Sequence, residues 1–136
     1  MAIKRMTKAD HPRSFGAFKP VGHVVVAMPD QASAAAAAQA LHAAGFSGED
    51  VLEYTAAEED HEMDRMLEAA ESTPLVGFGY EITLMRRYQE LAREGANWLI
   101  VFAPEEAQAA KVAETVKAHG ALMAEKYHRL VIEDLL

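Results

Sequence analysis

Apolar positions along the chain alternate between short continuous runs and stripes at helical spacing. The run HVVVAM at residues 23–28 is rich in β-branched side chains and ends before Pro29, so it predicts a buried strand. A stripe at i, i+3, i+4 and i+7 follows, made of Ala34, Ala37, Ala38 and Leu41. It predicts a helix whose alanine face packs closely against a sheet, ending at Gly45 before a second strand at 51–55.

The same order of strand, helix, glycine and strand recurs towards the C-terminus. Residues 97–103, NWLIVFA, predict a strand, and Pro104 suits the first position of a helix that ends at Gly120. The apolar stripe of that helix consists of Ala109, Val112, Ala113 and Val116. A last strand is predicted within residues 124–134. Two such units with right-handed crossovers predict an α+β fold with a ferredoxin-like βαβ–βαβ sheet and helices on one face.

Two further helices are predicted between these halves. Thr55 and Glu58 have the spacing of a capping box, which starts a helix over about residues 56–71. Its apolar stripe consists of Met63, Met66, Leu67 and Ala70. A second helix, over about residues 79–94, stops at Gly95. The predicted fold is therefore a ferredoxin-like sheet with two extra helices inserted between its halves.

Length and composition indicate one domain with a basic tail. The chain has 136 residues, of which 51% are hydrophobic, and this suits a single domain over residues 22–136. Residues 1–21 are predicted to be a mobile basic tail, because the first 19 positions carry five Lys or Arg against Asp10 alone. Of the net charge of −8, these positions therefore supply +4 and the remainder −12.

The charge distribution and the absence of cysteine narrow the function classes. A strongly acidic body repels phosphate backbones, so nucleic-acid binding is not expected. The sequence contains no cysteine, which excludes disulfides and thiolate metal sites and is typical of a reducing compartment. The N-terminus lacks an apolar h-region and no run is long enough to span a membrane. The sequence therefore predicts a soluble, cytoplasmic protein without membrane association.

The segment AAEEDHEMDRMLEAAES (56–72) places Glu58 and His61 at a Glu-x-x-His spacing, which raises the question of a metal site. A carboxylate-bridged dimetal site needs that motif twice, with further glutamates from partner helices. A zinc-protease helix needs histidines at i and i+4, and this helix has one. The capping box and the helix dipole already account for Glu58. The prediction is an acidic solvated helix face, with no metal and no cofactor.

Histidines and serines are the candidate catalytic groups of the sequence. His23 and His128 would lie close together if their strands are neighbours, as a ligand or proton-transfer pair, although two strand-edge histidines without such a role are favoured. None of the serines lies in a Gly-x-Ser-x-Gly elbow, and the sequence contains no phosphate-binding glycine loop. The sequence therefore favours a protein without catalytic activity.

Aromatic residues in the second half of the chain define a candidate pocket. Phe78, Tyr80, Tyr88 and Trp98 either line a pocket between the inserted helices and the sheet or fill the core, and core filling is favoured. Arg86 and Arg87 offer contacts for an anion, although solvation or pairing with nearby glutamates is favoured. The candidate ligand-binding residues are Glu58, His61, Tyr80, Arg87 and Trp98.

Two stretches resemble a known family, and they are VVVAMPDQASAAAAAQALHAAGFSGEDVLEY and YQELAREGANWLIVFAPEEAQAAKVAETVKAHGA. They resemble the bacterial heat-induced stress protein family of the general-stress-protein type over roughly residues 22–55 and 78–121. Many members carry a Gly-rich apolar stretch in the middle, where this chain has the acidic segment 56–71. The resemblance implies a small stress-associated protein and brings no catalytic residues.

Three functional hypotheses follow. The first is a non-catalytic, stress-associated α+β module that pairs the bare face of its sheet with a second copy as a homodimer. The alternative is a small-molecule or metal-binding protein, or an enzyme, with a site between the inserted helices and the sheet. The third is an adaptor whose basic tail docks on an acidic protein partner.

Overall fold

The computed structural model describes residues 13–14, 17–18, 21–55, 79–128 and 132–136. Within these ranges the strands are β1 (Arg13–Ser14), β2 (Ala17–Phe18), β3 (His23–Met28), β4 (Val51–Tyr54), β5 (Asn97–Phe102), β6 (Met123–Tyr127) and β7 (Ile132–Asp134). The helices are α1 (Gln31–Ala43), α2 (Gly79–Arg93) and α3 (Glu106–Ala118). The fold is α+β. Strands β4, β5, β3, β6 and β7 form one antiparallel sheet in that order, and β1 pairs with β2.

Strand β3 lies at the centre of the five-stranded sheet. It pairs with β5 from His23 opposite Phe102 to Met28 opposite Asn97, and with β6 on its other side. All six residues of β3 are buried. Its continuous β-branched run suits this position, because a central strand covered on both faces needs apolar side chains in both directions. The prediction of a buried strand at 23–28 is confirmed.

Each of the two predicted strand–helix–strand units is present. Strands β3 and β4 are both antiparallel to β5 and are therefore parallel to each other, with α1 as the crossover. Strands β5 and β6 are both antiparallel to β3, with α3 as the crossover. The C-terminal segment differs from the prediction of one last strand, because it forms both β6 and β7. Tyr127 pairs with Ile132, so the chain folds back on itself between them.

Helices α1 and α3 cover one face of the sheet. Their buried residues are Ala34, Ala37, Ala38 and Leu41 on α1 and Ala109, Val112 and Val116 on α3, nearly all as predicted. Asp30 caps α1, since its Oδ1 accepts a 2.8 Å hydrogen bond from the backbone N–H of Ser33. Gly45 follows the end of α1 with φ of 111°, a left-handed conformation that a side chain would strain.

The opposite face of the sheet is covered by α2. Tyr88 and Leu91 of this helix form one buried cluster with sheet residues that include Val25, Trp98 and Tyr127. The expectation of a bare sheet face is therefore wrong. Helix α2 supplies the second half of the core, so the described part of the chain has three layers.

Several predicted features lie outside the described residues. These include the helix predicted over 56–71 and its capping box partner Glu58. Strands β1 and β2 fall within the range 1–21 that was predicted to be a basic tail, and β2 lies against α2. None of the helices in the described ranges is both long and apolar enough to cross a membrane.

Candidate functional site

Of the five predicted ligand-binding residues, the structure describes the side chains of Arg87 and Trp98. Glu58 and His61 lie outside the described residues, and so does the side chain of Tyr80 near the start of α2. Arg87 is on the outer side of α2, where its side chain is 50% exposed and its guanidinium lies 3.3 Å from Glu90. Trp98 is only 1% exposed. Arg87 and Trp98 therefore do not share a site.

Trp98 belongs instead to an aromatic group between α2 and the sheet. The rings of Tyr88 and Trp98 meet edge to face, with 4.8 Å between their centroids. The hydroxyls of Tyr88 and Tyr127 share a 3.0 Å hydrogen bond. Because Trp98 is on β5 and Tyr127 on β6, Tyr88 reaches across the central strand β3. The small side chain of Ala27 lies on this face of β3, opposite Trp98 in the register, and leaves room for the Tyr88 ring.

Two polar atoms in this layer are buried without a hydrogen-bond partner in the part of the chain that the structure describes. They are Nε1 of Trp98 and Oε2 of Glu125. A buried polar group left unpaired costs on the order of 1–3 kcal/mol, and such groups are few in native proteins. The unpaired carboxyl oxygen of Glu125 is a position where a bound proton is expected.

Glu125 is the most unusual titratable group of the described residues. It lies on β6, on the same face as Tyr127, and is only 4% exposed. Burial, and after it the negative charge of Asp134, raises the pKa of Glu125 to about 7. Its carboxyl group is therefore partly protonated at neutral pH. Sequence reasoning missed this residue, because a single glutamate in MAEKY reads as an exposed position on a strand.

A second Glu-x-x-His spacing, which sequence reasoning overlooked, joins Glu125 to His128. On a strand, residues three apart point to opposite faces, so this spacing does not bring the two side chains together. The described residues contain no group of three or more His, Cys, Asp or Glu positioned to hold a metal ion.

The histidine pair considered from the sequence is not formed, although β3 and β6 are indeed neighbours. The Nδ1 atom of His23 lies 3.0 Å from the carbonyl oxygen of Val21, and its ring packs against Phe102. His128 instead directs Nε2 to the carboxylate of Glu133 at 3.1 Å. Each imidazole is thus oriented by a different neighbour.

A small cleft opens where β4 ends and β5 begins, beside the first turn of α1. Its volume is about 210 Å³. The lining residues are Gln31, Ala34, Ala35, Glu53, Tyr54, Thr55, Asn97 and Trp98. The alanines of α1 fill little space, which leaves the opening between the helix and the edge strand. Trp98, a residue predicted from sequence, therefore borders both this cleft and the buried layer beneath α2.

A shallow groove continues from the cleft along β4. It has a volume of about 320 Å³ and is lined by Ala38, His42, Val51, Leu52 and Glu53. Glu53 belongs to both openings and is exposed. The Nδ1 atom of His42 lies 3.0 Å from the carbonyl oxygen of Phe46, which holds the ring against the end of α1. The cleft and the groove together follow the outer edge of the sheet.

No family model matches the chain, and no curated protein or solved structure matches it significantly. The resemblance to the stress protein family therefore rests on the sequence alone.

Proposed function

We propose that the chain is a small-molecule-binding protein whose site is the cleft between the first turn of α1 and the ends of β4 and β5. One observation carries this proposal. The amides of Gln31 and Asn97 and the carboxylate of Glu53 converge on one cleft that the small alanine side chains of α1 leave open. A small polar ligand would find hydrogen-bond donors and acceptors on several sides of this cleft.

The lining of the cleft favours a small polar ligand. Its volume of about 210 Å³ is below the roughly 300–1,000 Å³ of drug-sized pockets. The amides of Gln31 and Asn97 offer both donors and acceptors, and the carboxylate of Glu53 accepts from hydroxyl or amino groups. The alanine methyl groups supply the apolar wall. A metabolite that combines a carbonyl or carboxyl oxygen with a hydroxyl or amino group fits this chemistry.

The cleft carries its own reporter, because Trp98 is the only tryptophan of the chain. Purified protein is first screened by thermal shift against metabolites, nucleotides and divalent metals, since a ligand of the native state raises the melting temperature by mass action. Each hit is then titrated while tryptophan emission is recorded. We expect a saturable change in emission with the same midpoint as the thermal shift.

Matched variants locate the site. Asn97→Ala and Glu53→Gln are expected to weaken binding at least about tenfold, roughly 1.4 kcal/mol. Glu114→Gln, on an exposed position of α3, is the control and leaves the affinity unchanged. The proposal would be contradicted by a screen with no hit, or by hits that bind both cleft variants as tightly as the wild type.

A second candidate is the stress-associated homodimeric interaction module, located in the cytoplasm. It is favoured by two exposed leucines, Leu122 at 47% and Leu136 at 44%. Both lie at the same end of the β6–β7 pair, because Leu136 falls opposite Met123 when the register is continued. Exposed large apolar side chains at one end of a strand pair can be buried by a second copy of the chain. The sequence resemblance supports the stress role, and no contact with nucleic acid or membrane is proposed.

Light scattering across micromolar concentrations tests the dimer. We expect a mass of two chains that falls to one chain in the double variant Leu122→Ser and Leu136→Ser. A monomer at every concentration would exclude the homodimer. The same preparation, with and without residues 1–19, tests whether the basic segment recruits an acidic protein partner.

We further propose that the sheet is ferredoxin-like. Support comes from the order β4, β5, β3, β6, in which two parallel pairs alternate and each pair is joined by one helix. Strand β7 and the layer formed by α2 are additions to that arrangement. An experimental structure of the whole chain tests this assignment and the position of the inserted helices.

A further inference from the structure

The outermost strand β7 is short and pairs only with β6 in the described sheet. It consists of Ile132, Glu133 and Asp134, and the two acidic residues are exposed. The backbone N–H of Leu135 donates a 2.9 Å hydrogen bond to the carbonyl oxygen of Ala124, which extends the pairing by one residue. Ile132 and Leu135 are only partly buried where they pack against the core, so the side-chain pairs between β7 and β6 contribute to whether the strand stays in place.

Those pairs have opposite electrostatic signs on the two faces of the sheet. Glu125 is directly opposite Asp134, so two carboxyl groups meet on the face covered by α2. Lys126 is directly opposite Glu133, so opposite charges meet on the other face. Like charges opposite each other in a sheet destabilise the pairing, whereas opposite charges support it. The first pair can change sign with pH, because a carboxyl group loses its charge when it binds a proton.

The surroundings of Glu125 favour proton binding. Its Oε2 atom is buried and without a hydrogen-bond partner in the described residues, whereas Oδ1 of Asp134 accepts a 3.1 Å bond from the backbone N–H of Leu136. Among the described residues, the other titratable groups on this face are His23 on β3 and the hydroxyls of Tyr88, Tyr127 and Tyr54. The arginines of α2, which are Arg86, Arg87 and Arg93, are exposed.

We propose that Glu125 and Asp134 form a proton-binding latch that fastens β7 to the sheet. With a proton on Glu125, a neutral carboxyl group faces the Asp134 carboxylate and can donate a hydrogen bond to it. When the proton leaves, two carboxylates face each other across the β6–β7 pair, one of them buried. Their repulsion and the cost of the buried charge are relieved when β7 separates and water reaches Glu125.

On the other face of the sheet, Glu133 of β7 faces two basic side chains, His128 and Lys126. The Nε2–H of His128 donates to Glu133 of β7, and this contact is an ion pair only while the imidazole is protonated. Lys126 is held independently, because its ammonium donates a 3.0 Å hydrogen bond to the carbonyl oxygen of Pro104. Burial lowers the pKa of Lys126, but the carboxylates of Glu133 and Glu106 oppose that shift. Rising pH therefore weakens the pairing of β7 with β6 on the face of Glu125 and does not strengthen it on the face of Lys126.

Release of β7 has a defined structural result. The bond from Leu135 to Ala124 opens, and the outer edge of β6 loses its partner strand. The latch lies at the edge opposite the cleft of β4 and β5, so it operates whether or not that cleft binds a ligand. Failure of the ligand screen would therefore leave the proposed latch standing. Failure of the latch experiment would likewise leave the proposed cleft standing.

Amide hydrogen exchange of the full chain tests the latch directly. We expect the Leu135 amide to lose about tenfold of its protection between about pH 5.5 and pH 8.5, after correction for the intrinsic exchange rate, while amides of β3 keep theirs. In Glu125→Gln the side chain stays neutral, and the protection of Leu135 should become independent of pH. Glu114→Gln, which removes an exposed carboxyl group of α3, should leave the wild-type pH dependence unchanged.

Two further measurements keep the test decisive if a variant fails to fold. In the wild type, the carboxyl carbon of Glu125 should titrate near neutral pH by NMR; titration at the ordinary value of a glutamate would overturn the proposal. Loss of the pH dependence in His128→Gln with an unchanged response in Glu125→Gln would also overturn it, since His128 and Glu133 would then form the switch.

Discussion

The hydroxyl of Tyr88 on α2 lies 3.0 Å from the hydroxyl of Tyr127 on β6, although the two residues are 39 positions apart in sequence. The ring of Tyr88 also meets Trp98 on β5. One side chain of α2 therefore contacts two strands that lie on either side of β3. Tyr88 fixes the position of α2 over the sheet more firmly than apolar packing alone would.

Removing either hydroxyl of this pair should destabilise the protein. Tyr88→Phe and Tyr127→Phe each take a hydrogen-bond partner from a buried hydroxyl, so each should lower the free energy of unfolding by about 1–2 kcal/mol. The double variant should cost less than the sum of the single changes, because the second change removes the group that the first left behind. Urea denaturation of the four proteins measures this coupling. Strict additivity would show that the hydroxyls do not interact.

Stability should fall as the pH rises through the range in which Glu125 loses its proton. Its pKa is raised from an ordinary value of 4.5 to about 7, so the native state holds more protons than the unfolded state between these limits. The stabilisation of the native state by the proton on Glu125 is complete below pH 4.5 and is lost as pH passes 7. We expect a loss of roughly 2 kcal/mol across this window, reduced from the full shift because the exposed Asp134 is screened by solvent.

Denaturation curves at several pH values check this profile. Glu125→Gln should flatten it between these two pH values, whereas Glu53→Gln should reproduce the wild-type slope. A wild-type slope that is flat or positive across the window would show that burial does not favour the protonated form.

The capping carboxylate Asp30 should produce the opposite pH dependence at lower pH. Hydrogen bonds from Ser33 lower the pKa of Asp30 below its ordinary value of 3.8, so its contribution is present above that value and is lost as pH falls further. Asp30→Ala should lower the melting temperature at neutral pH by removing the cap. Asp30→Asn, which keeps an acceptor oxygen, should retain most of the stability and lose the acid dependence. Equal losses in both variants would contradict a capping role.

Substitutions at Gly45 and Gly48 measure the cost of backbone strain, because a new side chain has open space at both positions. A Cβ at Gly45 or at Gly48 would meet no atom within 4 Å, but only Gly45 has a positive φ, of 111°. Gly45→Ala should therefore cost about 1 kcal/mol, while Gly48→Ala should be neutral or slightly stabilising. Thermal denaturation of the two variants makes the comparison. Equal effects would mean that the left-handed turn after α1 relaxes without cost.

The sequence predicted the parts of the fold whose residues follow one periodicity. HVVVAM and NWLIVF are continuous apolar runs, and both became inner strands of the sheet. The alanine stripe of α1 is buried as its spacing predicted. Local glycine signals were equally informative, since Gly45 and Gly120 both follow helices and have positive φ.

The missed features depend on contacts between distant segments. Nothing local in MAEKY shows that Glu125 is buried, because its burial comes from its place on an inner strand beneath the layer formed by α2. The cleft beside Trp98 is assembled from α1, β4 and β5, so no single motif predicts it. The bare sheet face was expected because the minimal pattern of two strand–helix–strand units leaves one. The burial of Tyr88 on α2 shows instead that an inserted helix fills that place.

The central position of β3 also determines when the chain can fold. Val24 of β3 pairs with Lys126 of β6, so the innermost strand finds one of its neighbours 102 residues later. Contacts of such long separation slow folding, since a large loop must close before they form. During synthesis β3 leaves the ribosome about a hundred residues before β6. Until β6 follows, the most hydrophobic strand of the sheet lacks one of its two neighbours.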